Sequence, residues 1–143
     1  MKTIIKDGQM EVSSSFGPID IAVSGMQAQN RQIGAISSNV ANAQSTDNGD
    51  GSPYRRLEAI FRAAGDEIDG VTVDEIAADM SEFPRILKPG HPDADNQGYV
   101  SMPNVDLPIE MINLNTATRA YQANVAVMKR YQRMVESTLE LLR

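Results

Sequence analysis

Hydrophobic residues recur every three to four positions at both ends of this 143-residue chain and lose that rhythm in its middle. Over residues 18–43, placing Ile19, Met26, Ile33 and Val40 at heptad position a puts Ala22, Gln29, Ile36 and Ala43 at d. From Met111 onward the pattern is stronger. Position a is filled by Met111, Thr118, Val125, Gln132 and Leu139, and d by Leu114, Tyr121, Met128, Val135 and Leu142. Apolar residues at a and d form the stripe by which helices pair, and an occasional polar residue such as Gln29, Thr118 or Gln132 can set the register. At a rise of 1.5 Å per residue, the pattern predicts helices of about 39 Å over residues 18–43 and about 50 Å over residues 109–142.

Gly17-Pro18 makes a suitable helix start, because proline is already shaped for the first helical position. Gly25 and Gly34 each cost about 1 kcal/mol relative to alanine. With Ala28, Ala35, Ser38 and Ala41, they also let another helix approach closely. The pattern by itself fits either two core helices of a compact bundle or two helices that pair with other chains. The unequal lengths favour the second arrangement, since a longer stripe is left for another chain to cover. Isolated amphipathic helices are marginal in water, so such segments gain order on association.

Between the helices, Tyr54–Ala63, Val71–Ile76, Arg85–Lys88 and Gly98–Met102 read as short strands. Gly65, Gly70, Pro84, Pro89-Gly90 and Pro92 punctuate them. About 60 residues support only a marginal independent core. The expected fold class is α+β: long coiled-coil-forming helices at the N- and C-terminal ends, flanking a small β-rich middle. The chain divides into a flexible segment 1–17, an assembly helix 18–43, an acidic and β-rich portion 44–106, and an assembly helix 107–143.

Charge sharpens this division. Residues 44–106 hold thirteen of the nineteen acidic side chains and five of the thirteen basic ones, so the middle sums to −8 and the flanks to +2. An overall charge of −6 argues against nucleic acid as a partner. No run approaches the roughly 18 consecutive apolar residues of a membrane span. The opening residues MKTIIKDGQMEVSSSFG lack the pattern of a secretory signal peptide. Cysteine is absent, and His91 is the sole histidine.

Two clusters raise metal chemistry. Asp47 to Glu58 matches the first and twelfth positions of a calcium loop, but it lacks oxygen ligands at the third and fifth and glycine at the sixth. A solvated acidic hinge fits those residues better. His91-Pro92-Asp93-Ala94-Asp95 groups three possible ligands, yet Pro92 favours a rigid turn whose aspartates bond the local backbone. No catalytic, cofactor-binding or metal residue is assigned, and no enzyme motif occurs.

Ser38-Asn39-Val40-Ala41-Asn42-Ala43, followed by Pro53-Tyr54-Arg55-Arg56, resembles the N-terminal motif of the bacterial flagellar rod and hook axial proteins. The run from Pro89 to Asp106, with Gly98-Tyr99 and Pro103-Asn104-Val105, is more selective. Together with Glu110-Met111 and Arg119-Ala120-Tyr121-Gln122-Ala123-Asn124-Val125, it is similar to the basal-body rod proteins of that family. The likeness covers residues 16–143.

This resemblance implies a structural subunit of the proximal rod, in the periplasm, exported by the flagellar type III apparatus without a cleaved signal peptide. Implied partners are other proximal-rod and distal-rod proteins and further copies of the chain. Lack of cysteine suits passage through that channel. By the resemblance, Ile19, Met26, Ile33, Ile36 and Val40 face Leu114, Tyr121, Val125, Met128 and Val135, or their equivalents in adjacent chains, and Met111, Leu139 and Leu142 belong to the same assembly interface. Asn39 and Asn42 close the first helix, where asparagine tolerates the left-handed conformation. Tyr54, Arg55 and Arg56 begin the first strand, and Pro103-Asn104 leads into the second helix. The acidic Thr46–Ser52 run departs from the general axial pattern. Readings from other classes are a cytoplasmic helical export adaptor and an acidic calcium-binding module.

Overall fold

A computed structural model describes residues 4–6, 9–11, 17–65 and 70–142. It contains two long helices, α1 (Pro18–Ala41) and α2 (Leu107–Leu141), with three separate two-stranded antiparallel ladders. Strands β1 (Ile4–Lys6) and β2 (Gln9–Glu11) pair near the N-terminus. The expectation of flexibility over the other residues of 1–16 lies outside the described residues. The middle holds the hairpin of β3 (Leu57–Ala63) and β4 (Val71–Ala78), then that of β5 (Arg85–Leu87) and β6 (Tyr99–Ser101).

The helices begin where local chemistry satisfies their free amides. The Asp20 carboxylate accepts from the Gly17 amide at 3.1 Å, and Asp106 accepts from the Ile109 amide at 3.2 Å. α1 ends differently from the expectation. Asn42 caps it at φ −103°, outside the left-handed region, and its side-chain amide donates to the Ser38 carbonyl at 2.9 Å. Asn39 lies within the helix rather than closing it, and its side chain serves long-range bonds.

α1 and α2 run antiparallel, because Asn39 meets Glu110 while Gly25 lies against Asn124. With 24 residues against 35, α1 falls about 16 Å short of the length of α2. The β3–β4 hairpin lies on α1. There Ser24 Oγ accepts from the Val71 amide at 3.1 Å, and Arg31 donates to the Val73 carbonyl at 3.3 Å. Gly70 (φ +97°) permits that approach, since a Cβ there would run into Ser24 Oγ.

β3 starts at Leu57, so Tyr54, Arg55 and Arg56 precede the strand instead of beginning it. Their side chains are drawn to distant carboxylates and carbonyls, and the Arg56 amide donates to Asn104 Oδ1 rather than to a strand. The acidic loop is also more organised than a hinge. Asp47 accepts from the amides of Gly49 and Gly51, Asp50 accepts from the amide and hydroxyl of Ser52, and the Tyr54 amide closes the loop onto the Ser45 carbonyl at 3.0 Å.

Candidate functional site

The seam between the helices is built from small residues. Ala22, Gly25, Ala28 and Ala35 are buried on α1, with Ala117 buried on α2. A Cβ added at Gly25 would stand 2.6 Å from Asn124 Nδ2, so the helices approach closely enough there that any larger residue would have to push the Asn124 side chain aside. The contact is shifted to the d side of the a/d stripe, where Ala22 and Ile36 are buried. Ile36 is buried, whereas Ile19, Met26, Ile33 and Val40 are half-buried at its border.

On α2, Leu114, Val125 and Met128 are half-buried, while Met111, Tyr121, Val135, Leu139 and Leu142 remain exposed. An open groove of about 370 Å³ runs along Met111, Leu114, Asn115, Thr118, Arg119 and Gln122. Val135 and Leu139, with Leu142 at the C-cap, lie in the part of α2 that α1 is too short to cover. A further polar atom, Gln29 Oε1, is buried at the seam without a hydrogen-bond partner among the described residues.

Behind this stripe sits a buried polar junction. The Asn39 side chain donates to the Leu57 carbonyl at 2.8 Å and to Glu110 Oε2 at 3.0 Å. Its oxygen accepts from the Leu57 amide at 2.8 Å and the Tyr54 hydroxyl at 3.1 Å. One side chain thereby ties α1 to the start of β3 and to α2. Glu110 is 1% exposed, and Arg56 Nε donates to its other oxygen at 2.8 Å.

Burial pushes the Tyr54 hydroxyl pKa up, and the nearby Glu110 charge adds to the rise. The hydrogen bond to Glu110 likewise raises that of the Arg56 guanidinium. The guanidinium stays charged at neutral pH, as arginine does.

Asn104 extends the network. Besides accepting from the Arg56 amide, it donates to the Asp79 carbonyl at 3.0 Å and to Ser81 Oγ at 2.8 Å. Arg55 donates to the carbonyls of Asp79 and Ser81 and lies 4.2 Å over the Phe83 ring. Pro103 is buried beside this knot, whereas Arg119 stands apart on the exposed groove. Gly98 (φ +80°) packs under Pro89, and Tyr99 lies beneath Arg85 in the β5–β6 ladder.

The His91–Asp95 segment forms a turn. Asp95 accepts from the amides of Gln97 and Tyr99 and pairs with Arg85, and the Tyr99 bond leads the causes that lower its pKa. Asp93 instead accepts from Thr46 Oγ1 at 2.7 Å, which joins the acidic loop to this turn.

Glu110 is the member of the junction to which the sequence assigned no role of its own. An acidic residue in the first turn of a helix ordinarily reads as a partner of the helix dipole. The signal that could have found it is its place on the seam seven residues before Ala117, where a carboxylate requires a cation or donors.

Two family models match the chain. One described as "Flagella basal body rod protein" covers residues 19–48, and one described as "Flagellar basal body rod FlgEFG protein C-terminal" covers residues 96–141. The flagellar basal-body rod protein FlgC of Yersinia enterocolitica is 42% identical, over 85% of this chain and 93% of its own length. Its counterpart in Borreliella burgdorferi is 36% identical over 89% and 97%, and that of Bacillus subtilis 33% over 90% and 98%. With likeness spread over most of both chains in each case, the chain belongs to the family of flagellar basal-body rod proteins FlgC.

Proposed function

We propose that this chain is a structural subunit of the proximal rod of the flagellar basal body, which polymerises through its terminal helices and transmits torque. The observation that carries this is the stripe Met111, Tyr121, Val135, Leu139 and Leu142, left exposed after α1 has docked. Exposed apolar positions at regular helical spacing need a partner to remove them from water. Ile19, Met26, Ile33 and Val40, half-buried, supply the complementary border on α1, while Ile36 is already covered within the chain.

In this reading the partners are other proximal-rod and distal-rod proteins and further copies of the chain, and the place of work is the periplasm, reached through the flagellar type III export apparatus. Among the described residues no helix is long and apolar enough to cross a membrane. The junction of Asn39, Tyr54, Arg56 and Glu110 serves the same role mechanically. Load entering the helix pair passes to the β portion through buried, charge-assisted bonds.

Cryo-microscopy of isolated basal bodies tests the assignment. Density for this chain in the proximal rod is the expected result. Finding the chain only in the cytosol overturns it in favour of an export adaptor.

A further inference from the structure

α2 carries a second apolar stripe on the side turned away from α1. Ile112, Ala123, Val127, Met134 and Leu141 recur at spacings that keep them on one helical face, and all are exposed. Arg119 and Arg130 fall within this face and make no ion pair among the described residues. A helix apolar on two opposite faces is normally buried on both, and α1 covers one. α1 itself offers this stripe no acidic counterpart in another copy, because its single carboxylate, Asp20, is engaged by the Gly17 amide.

The matching chemistry lies in the acidic middle. Three of its arginines are already committed, Arg56 to Glu110, Arg62 to Asp74 and Arg85 to Asp95. Glu75 makes no ion pair among the described residues, and it stands opposite Ile60, 45% exposed, across the β3–β4 ladder. An apolar side chain beside an unmatched carboxylate thus mirrors Val127 beside Arg130.

We propose that the back face of α2 docks on the Ile60–Glu75 surface of a second copy of this chain, with Arg130 facing Glu75 and Val127 covering Ile60. The two patches differ, so the contact is heterologous and propagates instead of closing a symmetric pair. The inference rests on the rod reading and adds a second lateral interface to it, separate from the a/d stripe.

The absence of native cysteine makes the test clean. Val127→Cys and Ile60→Cys are introduced together, and basal bodies isolated from cells carrying this chain are oxidised. Disulfide-linked dimers and higher multiples are expected, with neither single variant forming the ladder. In a second measurement, Arg130→Glu and Glu75→Arg each lower incorporation about tenfold through like-charge opposition, and the double swap restores it. A chain present in the rod without crosslinks, or a double swap no better than its parents, overturns the docking while leaving the rod assignment standing. Absence of the unmodified chain from basal bodies overturns both.

Discussion

Asn39 of α1 donates to Glu110 of α2 across a 3.0 Å hydrogen bond, and the two residues are 0% and 1% exposed. Both polar atoms of the Asn39 side chain also bond Leu57, its oxygen accepts from the Tyr54 hydroxyl as well, and the other oxygen of Glu110 accepts from Arg56. A buried carboxylate is tolerable only when its charge is matched and its lone pairs are used. Here the matching groups, Asn39 and Arg56, come from two parts of the chain far from Glu110 in sequence. The junction therefore forms only when the helices and β3 are correctly docked, which couples the helix pair to the β portion.

Removing the cation exposes this dependence. Arg56→Ala leaves Glu110 buried with a single amide donor and is expected to cost about 3–5 kcal/mol. Arg56→Lys recovers only part, because a lysine point charge replaces a directed guanidinium. Pairing Arg56→Ala with Glu110→Gln costs less than Arg56→Ala alone, since no uncompensated charge remains. Urea unfolding of the four proteins checks the order. Equal stabilities for the single and the paired variant would remove the charge argument.

The two helical glycines are predicted to respond in opposite ways. Nothing lies within 4 Å of a Cβ at Gly34, so Gly34→Ala is expected to gain about 0.5–1 kcal/mol from helix propensity. At Gly25 the same change meets Asn124 Nδ2 at 2.6 Å and loses that gain. A bulkier Gly25→Leu forces the helices apart and destabilises by about 1–3 kcal/mol through overpacking. Thermal melts of the three variants decide this.

Much of this architecture was legible in the residues. The heptad runs located both helices, because periodic apolar spacing survives independently of what covers it. The strands were found with their ends displaced. The Tyr54–Arg56 segment has the composition of a strand start, but its side chains and the Arg56 amide are claimed by Asn39, Glu110 and Asn104. The a/d assignment located the apolar stripe but not the face on which α1 settles. Gly25 lies off the a/d positions, yet its small size lets Asn124 of α2 come close. Nor does periodicity reveal that Glu110, 71 residues from Asn39, completes its hydrogen bonds.

Acid should loosen the β portion before the helix pair. The Tyr99 amide leads the causes that hold the pKa of Asp95 below its ordinary value, and the Ser81 amide leads those for Asp79. A carboxylate whose folded pKa is depressed binds fewer protons when folded, so stability rises with pH across that interval. These contributions are complete above the ordinary aspartate value of about 3.9 and fade as pH falls below it toward the depressed folded values. Amide exchange at Gln97, Tyr99 and Ser81 is expected to quicken over that range. Asp95→Asn should weaken the pH dependence at Gln97 and Tyr99, and an unchanged profile would remove Asp95 as its source.

Separating assembly from folding gives the last prediction. Leu139 is 62% exposed on the part of α2 beyond the reach of α1, whereas Ile36 is 5% exposed within the seam. Leu139→Glu is expected to leave the unfolding free energy of the isolated chain within about 0.5 kcal/mol, as surface substitutions usually do. The same change places a charge in a stripe that must become dry on assembly, so incorporation into basal bodies should fail. Ile36→Ala should do the reverse, costing about 2–5 kcal/mol of stability through the cavity it leaves. Unfolding curves and incorporation measured on the same two variants place each residue on one side of the divide. A Leu139→Glu chain that unfolds as readily as Ile36→Ala would make Leu139 part of the monomer core, whereas one that assembles normally would take the overhang out of the rod interface.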